Sequence, residues 1–278
     1  MTVHLLQTDI RWKDIESNHR AAEQLLSTIP VPEVSTASAT HPFGAAGEGI
    51  SDGHIFVLPE MWSTGFVMSP EGVAEEHGES LAWMQRMARE RHAAFAGSVA
   101  VCEGGAYYNR LYFVTPDGAV THYDKRHLFT YGGEQHCYTP GRDRTIVEWG
   151  GVRFCLQICY DLRFPCFSRN VPRTLSGEPA VPSYDCLLYV ANWPSSRRRV
   201  WDILLQARAI ENQCYVIGVN RVGSDDACQY DGGTAVIDAY GKTVIQAKDN
   251  TQEIISCRLD MEKLQAFRKK FPVLQDAD

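Results

Sequence analysis

The sequence has no long apolar run and no excess of basic charge. Nowhere do about 18 uncharged apolar residues follow one another, and the first residues show no basic stretch leading into an apolar one. We therefore expect no membrane span and a cytoplasmic protein that is not exported. The formal net charge is −7 and the pI is about 5.7. Nucleic acids and anionic membranes need a basic surface, so a small molecule is the expected partner.

Paired cysteine motifs are also missing. The nine cysteines are an odd number, and no two of them form a Cys-x-x-Cys pair. This pattern is typical of reduced thiols rather than of disulfides. His136-Cys137 and Cys155-x-x-x-Cys159 have no second pair at the spacing of a zinc site, so we expect neither a metal nor a cofactor.

The length and composition indicate one folded domain that spans residues 1–278. The 278 residues are 44% hydrophobic, which is enough for a full core, and no linker or internal repeat divides the chain. Two segments, 30–53 and 172–183, are polar and rich in Pro, Gly or Ser without periodicity, so we expect long loops there.

Alternating strand and helix patterns predict an α/β fold. Amphipathic helices are expected at 15–27, 81–92, 195–212 and 261–271. Strands are expected at 3–8, 54–60, 95–101, 107–115, 119–123, 152–158, 184–191, 214–220, 229–231, 234–238, 243–247 and 253–258.

Four of these predicted strands end next to polar residues that could take part in catalysis. Glu60, Lys125, Cys159 and Asn192 each follow an apolar segment. In open α/β sheets ligands bind outside the carboxyl ends of the strands. The four ends could therefore line one cleft. Taken singly, Glu60 and Lys125 could be ordinary charged strand ends, and Cys159 could be a buried structural thiol.

Three segments together resemble the signature of the nitrilase, or carbon–nitrogen hydrolase, superfamily. They are Leu58-Pro-Glu60, Asp124-Lys125-Arg-His-Leu-Phe129 and Ile158-Cys159-Tyr-Asp-Leu-Arg-Phe-Pro165. Further likeness at 191–194, 208–212 and 220–224 extends the resemblance over nearly the whole chain, and the group that it resembles most is that of the bacterial omega-amidases. The resemblance implies a four-layer αββα sandwich, a homodimer and no metal.

Amide hydrolysis needs a nucleophile, a proton shuttle and a positive centre for the developing oxyanion. The resemblance assigns the first role to Cys159, which forms a thioester, and the second to Glu60. It assigns the third to Lys125, assisted by the backbone N–H of Tyr160. Glu134 matches a second acid that supports Lys125 and the catalytic glutamate.

An omega-amidase acts on the terminal amide of 2-oxoglutaramate or 2-oxosuccinamate, so it must also bind a carboxylate. Arginine binds carboxylates through two parallel hydrogen bonds. The candidate substrate-binding residues are Arg163, Arg110, Ser195, Ser196 and the pocket-wall residue Trp193. Alternatively, Arg163 anchors the helix after the nucleophile through Asp161 or a neighbouring acid.

Other functions remain open at this point. The chain could be another carbon–nitrogen hydrolase, such as a nitrilase or an N-carbamoyl amino acid amidohydrolase. It could also be a binding protein without catalysis, although all reactive positions are filled. His127 is an alternative base in a papain-like Cys-His pair.

Overall fold

A computed structural model describes residues 1–31, 53–172 and 181–276. Most of the two expected loops, at 30–53 and 172–183, lies outside these residues. None of the helices in the described ranges is both long and apolar enough to cross a membrane.

The described residues form fourteen strands and five α-helices, numbered in chain order. The strands are β1 (Thr2–Gln7), β2 (His54–Val57), β3 (Ala94–Glu103), β4 (Ala106–Val114), β5 (Val120–Asp124), β6 (Ile146–Trp149), β7 (Val152–Ile158), β8 (Cys186–Ala191), β9 (Tyr215–Asn220), β10 (Val222–Ser224), β11 (Gln229–Asp231), β12 (Ala235–Ile237), β13 (Thr243–Gln246) and β14 (Glu253–Arg258). The helices are α1 (Ile15–Leu26), α2 (Glu79–Arg91), α3 (Pro165–Ser168), α4 (Arg198–Asn212) and α5 (Met261–Lys270).

Twelve of these strands build two six-stranded sheets. The first has the order β14-β1-β2-β3-β4-β5, and the second has the order β13-β12-β9-β8-β7-β6. In each sheet the three central strands are parallel, β1-β2-β3 in one and β7-β8-β9 in the other. The remaining pairs are antiparallel, and β10 and β11 form a separate ribbon.

The two sheets pack face to face with helices on their outer faces. The core between the sheets contains alternate residues of β7, among them Val152, Phe154 and Ile158. A second cluster joins α1 and α2 to the first sheet, and a third joins α4 to the second sheet. The expected αββα sandwich is therefore confirmed. Strand β8 is buried throughout because its sheet is covered on both faces, which explains its continuous apolar sequence.

The sequence patterns missed some short elements. Strand β6, strand β10 and the four-residue helix α3 were not expected, because segments this short carry too few residues to show a period. The helix expected at 195–212 begins as an α-helix only at Arg198, after a 3₁₀ turn at Ser195–Arg197. The carbonyl of Arg197 accepts a hydrogen bond from the Trp193 indole at 2.9 Å, which ties this turn to the strand end before it.

Candidate active site

The carboxyl ends of strands from both sheets meet at one place. Glu60 follows β2, Lys125 follows β5, Cys159 follows β7 and Asn192 follows β8. The Lys125 Nζ lies 2.9 Å from Glu60 Oε1 and 2.9 Å from Glu134 Oε2. The side chains of these three residues are at most 1% exposed. The sandwich thus assembles a buried ammonium between two carboxylates.

The turn that presents Cys159 has an unusual backbone. Cys159 has a φ of +45°, in the left-handed region that side chains other than glycine seldom adopt. It begins the 3₁₀ helix Cys159–Arg163, so the chain reverses direction just as the strand ends. Asp161 holds this turn, since its carboxylate accepts hydrogen bonds from the Ile158 N–H and the Tyr123 hydroxyl. Backbone strain of this kind is found mainly at functional sites.

Two asparagines that sequence reasoning did not single out as catalytic partners hold Glu60. The Asn109 Nδ2 donates to Glu60 Oε1 at 2.8 Å and to Glu134 Oε1 at 3.3 Å. The Asn192 N–H donates to Glu60 Oε2 at 2.8 Å, and its side-chain amide donates to the Glu60 carbonyl at 2.6 Å. The Glu60 carboxylate is therefore fixed at both oxygens.

The opposite charges of Lys125, Glu60 and Glu134 balance one another inside the buried cluster. Burial alone would lower the pKa of Lys125, but Glu134 and Glu60 raise it above its ordinary range, so the ammonium stays charged. Burial raises the pKa of Glu134, and the Lys125 ammonium opposes that rise. Glu134 also accepts the N–H of Phe129, which fixes its position.

The Cys159 thiol is protonated at rest. Burial, followed by the neighbouring Glu60 carboxylate, raises the pKa of Cys159 well above its ordinary value. Attack by this sulfur therefore requires that its proton be removed by a base nearby. The Glu60 carboxylate is the neighbouring group that can accept it.

A pocket opens directly above the thiol. It encloses about 450 Å³ of empty volume, part of it continuous with solvent. Its lining combines the reactive groups with aromatic and basic side chains: Phe66, Lys125, Phe129, Cys159, Tyr160, Arg163, Asn192, Trp193, Pro194, Arg197, Cys228 and Tyr230. The pocket has room for a small substrate. Its lining is largely apolar with a few polar groups, as is usual for a ligand pocket.

The structure brings two of the five candidate substrate-binding residues to this pocket. Arg163 and Trp193 both line it, and the Arg163 guanidinium lies 5.1 Å from the centre of the Trp193 ring. For the alternative role of Arg163, the described residues show no ion pair between Arg163 and any acid, and Asp161 binds Tyr123 and His127.

The other three candidates lie elsewhere. Arg110 does not line the pocket, because it is buried and ion-paired with Asp124 at 2.7 Å and with Glu103 at 2.9 Å. Ser195 faces a separate cleft and Ser196 lines neither cavity. Both serines follow the strand end at Trp193, which suggested that they reach the pocket. The 3₁₀ turn directs them away from it.

Arg197 and Tyr230 were missed by sequence reasoning. Arg197 is the last residue of the 3₁₀ turn after Trp193, and Tyr230 lies on β11. A basic residue close to a strand end was the available signal for Arg197. No sequence signal pointed to Tyr230, because β11 comes close to the site only in the folded chain.

His127 lies two residues after Lys125 in the sequence but does not line the pocket. Its Nδ1 lies 2.8 Å from Asp161 Oδ1, and its ring stacks on Phe164 with a centroid separation of 3.9 Å. These contacts are those of a structural histidine.

Metal binding has no structural basis in the described ranges. In residues 1–31, 53–172 and 181–276, no three His, Cys, Asp or Glu side chains cluster so as to hold a metal ion.

Comparison with known proteins identifies the family to which this chain belongs. A family model described as "Carbon-nitrogen hydrolase" matches residues 2–269. Omega-amidase YafV of Yersinia enterocolitica is 40% identical over 275 residues, which cover 99% of this chain and 95% of that protein. The 2-oxoglutaramate amidase of Bacillus subtilis is 32% identical over 80% of this chain and 84% of that protein.

A solved structure shares the same architecture. XC1258 of Xanthomonas campestris, described as a CN-hydrolase superfamily protein with an arsenic adduct in the active site, superimposes with a TM-score of 0.87. It is 36% identical, and the match covers 100% of this chain and 97% of that one.

Proposed function

The chain belongs to the carbon–nitrogen hydrolase family, and we propose that it is an omega-amidase. It hydrolyses the terminal amide of a small 2-oxo dicarboxylic acid monoamide, 2-oxoglutaramate or 2-oxosuccinamate, to the 2-oxo acid and ammonia. The observation that carries this proposal is the buried Lys125–Glu60–Glu134 cluster beside the Cys159 thiol at the base of a small pocket. The names of two relatives, matched over 99% and 80% of this chain, point to the same substrate class.

The first half of the reaction forms a thioester. Glu60 takes the thiol proton as the Cys159 sulfur attacks the amide carbon, and the carbonyl electron pair moves onto oxygen. Lys125 and the Tyr160 backbone N–H stabilise this oxyanion; an oxyanion donor of this kind contributes about 2.7 to 4 kcal/mol. When the intermediate collapses, the carbon–nitrogen bond breaks, and protonated Glu60 gives its proton to the departing ammonia.

The second half of the reaction releases the acid. Glu60, again a carboxylate, takes a proton from water as the water oxygen attacks the thioester carbon. Collapse of this second intermediate breaks the carbon–sulfur bond and returns the proton to the Cys159 sulfur. Glu134 supports both halves, since it holds Lys125 charged and in place.

Among the substrate-binding candidates, Arg163 and Trp193 remain, because both line the pocket. The Arg163 guanidinium lies over the Trp193 ring and can contact the part of the substrate near the thiol. The side chain of Arg163 forms no ion pair with any residue of the described ranges.

An ammonia-release assay tests the substrate class. The panel contains 2-oxoglutaramate, 2-oxosuccinamate, glutamine, simple nitriles and N-carbamoyl amino acids. We expect the highest kcat/KM for the two 2-oxo acid amides. Turnover of nitriles or N-carbamoyl amino acids without turnover of these amides would instead make the chain a nitrilase or a carbamoylase.

We further propose that the protein is a cytoplasmic homodimer. All nine cysteines are free thiols, as the reducing cytoplasm favours. Ile203 and Ile210 are exposed on one face of α4, separated by two helical turns. Tyr240 and Phe271 extend this face as further exposed apolar side chains, and a second copy of the chain would cover it.

A further inference from the structure

The active-site pocket has an inner end and an outer end. Cys159, Lys125 and Asn192 line this pocket but not the larger cavity next to it. Five of the lining residues also line a larger cavity of about 990 Å³ that continues outward: Phe66, Phe129, Arg197, Cys228 and Tyr230. A substrate whose amide carbon reaches Cys159 therefore directs its remote end toward this shared boundary.

Arg197 supplies a cation at that boundary. Its guanidinium carbon lies 5.4 Å from the centre of the Phe129 ring. Within the described part of the chain, its side chain forms no ion pair and donates no hydrogen bond. The next residue shows the usual alternative, because Arg198 is paired with Asp202 at 2.9 Å and with Asp249 at 2.9 Å. A charge that lies on an aromatic ring and lacks a carboxylate partner is available to a ligand.

The backbone of Arg197 is held firmly. Its N–H donates to the Pro194 carbonyl at 3.0 Å, and its carbonyl accepts the Trp193 indole N–H at 2.9 Å. Trp193 is itself a wall of the pocket. The guanidinium therefore starts from a fixed point on the same structural unit that shapes the pocket.

The acids of the outer cavity do not neutralise Arg197. Asp225 accepts the N–H groups of Ala227 and Cys228 and the hydroxyl of Tyr230, so its carboxylate is engaged within its own turn. Asp226 lines the same cavity, and so does Lys13, which carries the opposite charge. None of these acids lies within ion-pair distance of Arg197.

We infer that Arg197 binds the substrate carboxylate, the group at the far end of the chain from the scissile amide. The inference rests on the proposed omega-amidase function and names the residue that selects an anionic substrate. Arg163 lines only the inner pocket and is left to the part of the substrate nearer the thiol. Arg197 acts in specificity and takes no part in bond making.

The test compares a charged substrate with its uncharged counterpart. In 4-oxopentanamide a methyl group replaces the carboxylate of 2-oxoglutaramate, and the rest of the chain is the same. For Arg197→Met we expect kcat/KM on 2-oxoglutaramate to fall about 10- to 100-fold, mainly through KM, because a hydrogen bond between charged groups is lost. On 4-oxopentanamide we expect a change of less than about 2-fold, since that substrate never makes the contact.

Two further variants complete the test. Arg199→Met is the matched control, because Arg199 is exposed two residues further on and lines neither cavity. It should leave both substrates unaffected. Arg197→Lys keeps the charge without the planar fork, so it should recover part of the loss on the charged substrate.

The outcomes separate the inference from the proposed function. Equal losses on both amides in Arg197→Met would overturn the role of Arg197 while the amidase function stands. A loss confined to the charged amide in Arg163→Met, and absent in Arg197→Met, would overturn it equally. A wild-type enzyme that hydrolyses 4-oxopentanamide but not 2-oxoglutaramate would overturn the omega-amidase proposal itself.

Discussion

At the scale of single residues, Cys159 combines a reactive side chain with a strained backbone. Its φ of +45° belongs to the turn that lifts the thiol out of the sheet, and burial keeps that thiol protonated until Glu60 accepts its proton. The same turn is held by Asp161 from beneath. The nucleophile is therefore positioned by contacts that do not involve its sulfur.

Replacing the sulfur should remove activity and leave the fold. We expect Cys159→Ala and Cys159→Ser to reduce ammonia release to the background rate, with an unchanged circular dichroism spectrum. Mass spectrometry of the wild-type enzyme quenched during turnover should show the acyl group on the peptide that contains Cys159. Acylation of any of the other eight cysteines would contradict the assignment.

Glu60 and Lys125 should outrank His127 in catalysis. Glu60→Gln removes the base and Lys125→Ala removes the charged oxyanion donor, so each should lower kcat by about 100-fold or more. His127→Ala loses a contact to Asp161 and a ring stack on Phe164, so it should lower the melting temperature while kcat changes little.

The measurement is kcat for the folded fraction of each variant, with thermal unfolding recorded in parallel. An active Glu60→Gln beside a well-folded but inactive His127→Ala would favour a Cys-His pair instead.

Asn109 should act as a positioning residue for the two carboxylates. Its amide nitrogen donates to both Glu60 and Glu134, while its Oδ1 has no hydrogen-bond partner among the described residues. Burial raises the pKa of Glu134, and without the Asn109 donor this carboxyl group holds a proton still more readily. For Asn109→Ala we expect kcat to fall about 10-fold or more. The acid limb of the kcat/KM profile should move to higher pH.

The pH profile separates this role from a purely structural one. Asn170 is the matched control, since it is also buried and its amide donates to the Tyr184 carbonyl at 3.0 Å, away from the pocket. Asn170→Ala should lower stability and leave the acid limb in place. An unmoved acid limb in Asn109→Ala would show that Asn109 is only structural.

At the scale of secondary-structure elements, helix α4 packs very closely on strand β9. A Cβ added at Gly218 would lie 2.7 Å from the Leu205 Cδ1 and 2.8 Å from the Trp201 Cζ2. Gly218 has no positive φ, so the requirement for glycine is one of space alone. The strand therefore approaches the helix as near as a backbone without a side chain allows.

Gly218→Ala should push α4 away from the second sheet. We expect the free energy of unfolding to fall by about 1 to 3 kcal/mol, the usual cost of overpacking a filled core. Chemical denaturation measures the change. Gln24→Ala, at an exposed position of α1, serves as the control and should change stability by less than about 0.5 kcal/mol. A stability equal to that of the wild type would mean that α4 shifts at no cost.

At the scale of the whole molecule, the exposed apolar face of α4 should be where two copies meet. Ile203→Asp combined with Ile210→Asp places two charges on that face, which a second copy could bury only at high cost. We expect analytical ultracentrifugation to show a dimer for the wild type and a monomer for the double variant. Val120→Asp, an exposed apolar position on β5, is the control and should leave the dimer intact. A dimer that survives the double variant would place the interface elsewhere.

The sequence by itself determined the layered α/β fold and the reactive residues. Strand and helix periods depend on local residue order, so they were readable for most elements, and the three motifs that carry Glu60, Lys125 and Cys159 are each continuous in the chain. The structure brings these three residues together at the ends of strands from both sheets, where the strand pattern placed them. Their catalytic roles stay predictions until the variants are measured.

Only the tertiary structure decided which partners each side chain meets. Arg110 and Asp124 lie directly opposite each other on β4 and β5, so register pairs them and withdraws Arg110 from the substrate. Asn109, the residue before Arg110, points to the other face of β4 and reaches Glu60 and Glu134. Arg197 joins the pocket through a 3₁₀ turn that helical periodicity does not show. Contacts of this kind depend on which strands and turns meet in the folded chain, and the local sequence patterns did not predict those meetings.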